Sequence, residues 1–177
     1  MAYTVYTDEI DALSQKLKEL NLKHKFSIVT AESLTAGLIS SSIVNTAGSS
    51  AYFDRAFAVY NNTAKHEMLG VAEDIFKKYT EVSGQCVEAM AKGALMRSHA
   101  TLSCAVSGVA GPDGGTEQSP VGTVWFGYAQ RVQDGLEILH NYSKRIVFTG
   151  SRQQVREQTV IAALKELIAL IEATASN

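Results

Sequence analysis

The strongest constraint on this chain is a hydrophobic period that keeps changing. Short apolar runs, too brief for a helix, alternate with segments whose apolar residues recur every three and four positions. Residues Thr7 to about Leu22 carry Ile10, Leu13, Leu17 and Leu20 at that spacing, with Thr7 as a cap and Asp8 and Glu9 in the first turn. "KFSIV" (25–29) predicts a strand, Leu34 to Asn45 a helix, "TAGSS" (46–50) a loop and "RAFAVY" (55–60) a strand. Short helices are expected near 63–69 and 72–79, then a longer one capped by Ser83 and running to about Ser98, with Val87, Met90, Ala94 and Leu95 buried. "TLSCAVSGV" (101–109) is a strand, and "GTVWFGYAQ" and "LEILHNYS" flank "RVQDG", whose Asp134-Gly135 pair signals a hairpin turn. Leu136, Ile138, His140 and Tyr142 alternate, and Ser151 to about Thr174 is a closing helix with Val155, Ile161, Leu164, Leu167, Ile168 and Ile171 as its stripe. Helices between single strands, then a hairpin, imply an α/β fold. The expectation is one three-layer domain over residues 1–177, a mixed sheet with helices on both faces and no repeat or linker.

A chain of 177 residues can bury about two-thirds of its unfolded surface, and with 19% charged and 46% apolar residues it reads as globular. A net charge of −2 gives no general attraction to nucleic acid or anionic membrane, so a positive field for an anionic ligand must be local. Neither nucleic acid nor membrane is an expected partner. Cys86 and Cys104 are the only cysteines, without metal-ligand spacing, which fits a reducing cytoplasm. No apolar run approaches the roughly 20 residues of a membrane span. His24, His66, His99 and His140 show no ligand spacing, and none forms a motif with a serine and an aspartate.

Three segments carry possible chemistry. In "TAESLTAG" (30–37), a helix starting near Ser33 leaves the N–H groups of Leu34, Thr35 and Ala36 without intrahelical partners, able to bind an anion or an oxyanion. Small residues at Ala31, Ala36 and Gly37 allow a ligand close to the backbone. Ser33 is equally a plain N-cap. In "YNNTAK" (60–65), Asn62 as cap puts Lys65 at the third helical position, where the macrodipole and partial burial favour a neutral amine. Tyr60 can relay a proton or orient that amine; the bland alternative is a solvated lysine beside a core tyrosine. "SGVAGPDGGTEQSPVGT" (107–123) matches neither phosphate-loop pattern but can form an anion nest, or be only an elaborate turn. The residues alone leave each pair of readings open.

Together, "TAESLTAGLISSSIVNTAGSSAYF", "YNNTAKHEMLGV", "AVSGVAGPDGGTEQSPVGTVWF" and "FTGSRQQVREQTVIAAL" resemble, in order and spacing, the CinA C-terminal domain family over nearly the whole chain. The likeness is to its short form, a stand-alone nicotinamide-nucleotide amidase. It implies hydrolysis of the amide of nicotinamide mononucleotide to nicotinic acid mononucleotide and ammonia, with no metal or organic cofactor. It also implies Ser33 as nucleophile with Tyr60 and Lys65 working beside it. The substrate contacts expected are Thr30, Glu32, Leu34, Thr35, Ala36 and Gly37; Asn62; Gly108, Ala110, Gly111, Gly114, Gly115 and Thr116 of the glycine loop; and Arg152 and Arg156 for the phosphate. A homodimer is expected because two-fold assemblies are the commonest.

The chain departs from the family pattern in five places. The family's "TAESCTGG" becomes "TAESLTAG", with Leu34 and Ala36 near the nucleophile; Asn61 stands for a serine, Thr63 for a glutamate and Ser151 for the aspartate of "G-D-R". Leu34 and Ala36 leave room for two other readings. One is a weakened paralogue that binds a nucleotide or phosphorylated ligand; the other is a hydrolase of a related amide or ester.

Overall fold

The structure, a computed structural model, describes residues 7–132, 135 and 137–175. Its sheet has the order β2-β1-β3-β4-β5, built from β1 (Ile28–Glu32), β2 (Phe53–Ala58), β3 (Leu102–Gly108), β4 (Thr123–Arg131) and β5 (Ile138–Val147). β1 pairs parallel with β2 and β3, while β4 is antiparallel to both its neighbours, so the sheet is mixed as expected. β1 starts three residues later than "KFSIV" suggests and carries Thr30, Ala31 and Glu32 inside the strand. β2 likewise ends at Ala58, two residues before Tyr60. Gln133, Asp134 and Leu136 of the expected turn and stripe lie outside the described residues. β4 and β5 still pair from Arg131–Ile138 to Thr123–Val147, carrying β5 four residues past "LEILHNYS". Along β5, Ile138 and Tyr142 are half-buried and His140 is exposed.

Helices cover both faces. On one, α1 (Asp8–His24), α2 (Leu38–Val44) and α6 (Arg152–Ala175) bury Ile10, Leu17, Ile39, Ile43, Leu164 and Leu167 against Ile28, Cys104, Val106 and Phe126. On the other, α3 (Asn62–Leu69), α4 (Glu73–Tyr79) and α5 (Gly84–Met96) pack Leu69, Val87, Met90 and Leu95 against Val29, Ala31, Ala105 and Ala129. The strand residues under α5 are small, which draws the helix close: Ser103 Oγ donates to the Ala91 carbonyl at 2.9 Å. A side chain at Gly127 would collide with the backbone of Val87. The expected caps hold at Thr7 and Ser83, which accept from the N–H groups of Ile10 and Cys86. Ser151 keeps the capping role of the aspartate it replaces, exchanging hydrogen bonds with Gln154 in a capping box.

The β1–α2 connection differs most from expectation. α2 begins at Leu38 with Gly37 at the N-cap, so Ser33 is not the cap and residues 33–37 form a turn. The anion at the helix N-terminus is internal: the buried Glu32 carboxylate accepts from the N–H groups of Gly37, Ile39 and Ser40 at 2.9–3.0 Å. The hydroxyls of Thr30 and Thr35 complete its shell at 3.0 and 2.7 Å. Charge-assisted bonds of this kind are the strong ones. To reach Gly37 (φ 97°), the chain takes Ala36 through φ 50°, a left-handed conformation that costs a residue with a Cβ. Replacing Ala36 by glycine is therefore expected to stabilise the fold by about 0.5–1 kcal/mol in chemical denaturation. Glu32→Ala strands five buried donors and is expected to cost at least about 3 kcal/mol in the same measurement. Glu32→Gln should recover little of that loss, because its NH2 turns a donor toward donors.

Candidate active site

Three strand ends meet where the chemistry is expected. In parallel neighbours the carboxyl ends lie side by side, and the order 2-1-3 sends successive crossovers to opposite faces at β1, opening a crevice there. Ser33 directly follows β1, anchored by its N–H to the Val106 carbonyl at 3.1 Å, and Val59 N–H reaches the Glu32 carbonyl at 2.9 Å. The chain beyond β2 then delivers Tyr60 and α3. Asn61, not Asn62, is the α3 cap, accepting from Ala64 N–H at 2.8 Å, so Lys65 lies one position deeper than expected. Its own N–H already bonds the Asn61 carbonyl, which removes most of the macrodipole argument. Burial takes over that role.

Lys65 is 1% exposed, and its Nζ donates to Ser33 Oγ at 3.2 Å and to the Tyr60 carbonyl at 3.0 Å. Ser33 Oγ lies 3.4 Å from the same carbonyl. Burial pushes the Lys65 amine below its ordinary pKa, with the nearby Glu81 carboxylate pulling the other way. Cys86, buried beside it, is itself pushed up to about 11 and is a neutral thiol at neutral pH. No carboxylate pairs with Lys65 among the ion pairs of the described residues. A neutral amine in contact with a serine hydroxyl is able to act as its base. The relay expected through the Tyr60 hydroxyl is not what the geometry offers. That hydroxyl accepts from Arg152 at 3.2 Å on a side chain 62% exposed, and it is the tyrosine's backbone carbonyl that holds amine and serine together.

Both arginines expected at the phosphate are engaged with protein oxygens. Arg152 donates to the Gly111 carbonyl at 2.9 Å, and Arg156 to the carbonyls of Leu34 and Thr35 at 2.9 and 3.0 Å. In a planar trans peptide the N–H points opposite its C=O. Arg156 thereby turns the Thr35 N–H away from itself, and the Ser33 carbonyl, bonded by Ala36 N–H at 3.1 Å, does the same for Leu34 N–H. Ala36 N–H is thus consumed, while those of Leu34 and Thr35 have no partner among the described residues. The Leu34 side chain, bulky beside the nucleophile in sequence, packs into the core under α1, α2 and α6 and is 4% exposed.

A cleft of about 250 Å³ opens over Ser33 and Lys65, lined by Leu34, Tyr60, Gly108, Ala110, Gly111, Gly114 and Arg152 from the expected set. Thr30, Glu32, Thr35 and Gly37 lie behind it as the carboxylate cage, not on its surface. Ala36, Asn62, Gly115, Thr116 and Arg156 are likewise off its lining; Gly115 packs against the Val121 backbone, where a Cβ would come within 2.8 Å. Glu81, Val82, Ser107 and Asp113 line the cleft and are absent from the expected set. The signal for Glu81 and Val82 was the Ser83 cap itself, since the residues before a crossover helix at this end of the sheet face the crevice. Among the described residues, no group of three or more His, Cys, Asp or Glu side chains is placed to hold a metal ion, and no helix is long and apolar enough to cross a membrane.

The fold recurs in known proteins. Nicotinamide-nucleotide amidohydrolase PncC of Pseudomonas putida is 44% identical over 163 residues, 92% of this chain and 98% of that protein. The protein of the same name from Escherichia coli K12 is 40% identical over 90% of this chain and 93% of its own length. The crystal structure of the competence/damage inducible protein CihA from Agrobacterium tumefaciens superposes with a TM-score of 0.87 at 36% identity, covering 96% of this chain and 99% of that one. The family model described as CinA C-terminal domain matches residues 10–171, and the chain belongs to that family.

Proposed function

We propose that this protein is an amidohydrolase that deamidates nicotinamide mononucleotide through a Ser33–Lys65 pair. The observation that carries this reading is the buried Lys65 amine 3.2 Å from Ser33 Oγ, in a chain whose relatives are named nicotinamide-nucleotide amidohydrolases. The neutral amine takes the proton from Ser33 as Oγ bonds to the carboxamide carbon. The carbonyl oxygen becomes an oxyanion, for which the unpartnered N–H group of Leu34, on the cleft lining, is the available donor. The Lys65 ammonium returns the proton to the departing nitrogen, the C–N bond breaks and ammonia leaves. Water then adds to the acyl carbon while Lys65 takes its proton; the C–Oγ bond breaks, Ser33 recovers a proton, and nicotinic acid mononucleotide is released. The Tyr60 carbonyl orients the amine throughout.

Ammonia release from nicotinamide mononucleotide by the purified protein tests the reading. Ser33→Ala is expected to lose at least about a thousand-fold in kcat, and Lys65→Ala about 10²–10⁴-fold, both without loss of the melting transition. Near-normal turnover in either variant removes that residue from the mechanism. Binding without ammonia release in the parent would make the protein a nucleotide-binding relative.

The pH profile follows from the burial of Lys65. Only its neutral form accepts the serine proton, so kcat/KM should fall as pH drops through the lowered pKa and level off above it. The inflection is expected below the ordinary lysine value of about 10.4. Lys65→Arg, which stays protonated, should abolish that limb together with most of the activity.

A further inference from the structure

The cleft over Ser33 does not end at the glycine-rich loop. Glu81, Val82, Val109 and Gly114 form a wall that it shares with a second cleft of about 590 Å³, more than twice its size. Trp125 and Arg145 line this second cleft as directly opposed residues of β4 and β5, which puts them on one face of the sheet. Arg145 is exposed, donates once to the Gln118 carbonyl at 3.2 Å, and takes part in none of the ion pairs among the described residues. A guanidinium has five N–H donors, so most of its capacity is unspent. Arg156, in contrast, is tied to two carbonyls of the turn after Ser33, and Arg152 to the Gly111 carbonyl and the Tyr60 hydroxyl. On the opposite wall Thr80 holds a φ of 68°, a conformation that a β-branched residue rarely takes and that tends to accompany a functional surface.

Nicotinamide mononucleotide carries a cationic pyridinium next to its carboxamide and an anionic phosphate at the far end of the ribose. The smaller cleft has Asp113 and the shared-wall Glu81 to suit the ring, and its Arg152 is engaged by the Gly111 carbonyl and the Tyr60 hydroxyl. The second cleft supplies Arg145, a cation with most of its donors unspent, for the phosphate. Resting on the amidohydrolase reading above, we propose that the second cleft is the phosphoribosyl subsite, in which Arg145 reads the phosphomonoester and Trp125 walls the sugar. Ribose spans the shared wall, which fixes the carboxamide over Ser33. Arg145 is then a specificity residue, separating the nucleotide from its phosphate-free nucleoside.

Calorimetric titration of the non-turning-over Ser33→Ala protein, with Arg145 intact or changed to Gln or Lys, tests this. The ligands are nicotinamide mononucleotide and nicotinamide riboside. Arg145→Gln is expected to raise Kd for the nucleotide at least about tenfold and to leave that for the riboside within about twofold, with Arg145→Lys intermediate. Unchanged nucleotide affinity, or equal losses for both ligands, would overturn the proposal. The amidohydrolase reading is judged separately by ammonia release from the parent. If ammonia fails to appear but the Arg145-dependent preference for the nucleotide persists, the subsite stands and the chemistry falls.

Discussion

Glu32 ends β1 as a fully buried carboxylate facing five donors, and the position of the nucleophile depends on how that charge is satisfied. Three of those donors are N–H groups at the start of α2 and two are hydroxyls of the same motif, so the anion binds the strand end and the helix start to each other. With it in place, residues 33–37 cannot continue as helix from Ser33 and must turn, which frees the serine from capping duty. Arg156 then fixes the outer side of the turn through two carbonyls. A helix N-terminus is ordinarily an open invitation to a substrate anion. Here it is occupied from within, so substrate charge must be read elsewhere.

The proposed catalytic pair is assembled from opposite faces of the sheet. Ser33 is held from the side of α2 and α6, while Lys65 comes from α3, on the side of α5. The sheet is the spacer that brings them to 3.2 Å. α5 approaches closely because Ser103, Ala105, Gly127 and Ala129 lie beneath it, and it carries Cys86 beside the amine. The packing of that helix therefore contributes to the burial that lowers the Lys65 pKa.

Local pattern located the α-helices and strands of the described residues, though not all their ends, because it decides the buried stripes of α1, α5 and α6 and the strand interiors; the short 3₁₀ turn Ser49–Ala51 fell where a loop was expected. Missing from that pattern was the reach of Glu32: a glutamate in "TAES" looks like a site residue, and only the tertiary fold shows it turned inward. Asn61 and Asn62 are equally good caps in sequence, and the one-residue difference is settled by where β2 ends. The roles of Arg152 and Arg156 were likewise illegible, since an arginine bound to backbone carbonyls and one awaiting a phosphate have the same spacing. The neighbours of Ser33 and Lys65 marked them as candidates but left a cap and a solvated lysine equally open; the family resemblance singled them out, and their 3.2 Å contact required the fold.

A protein of net charge −2 with the proposed substrate, a molecule with a cationic and an anionic end, has no use for a uniform field. It needs two local ones of opposite sign at a fixed separation. Two arginines stand near the turn after Ser33, yet Arg156 spends two donors on the carbonyls of Leu34 and Thr35, and Arg152 one on the Gly111 carbonyl and one on the Tyr60 hydroxyl. Glu81 and Asp113 make the same region negative at the surface. The excess positive charge lies instead on β5, beyond the shared wall, where Arg145 answers to no carboxylate. With the proposed subsite, a ligand bound the wrong way round would set its phosphate against Asp113 and its pyridinium against the Arg145 guanidinium. Orientation would then be selected before any atom reaches Ser33.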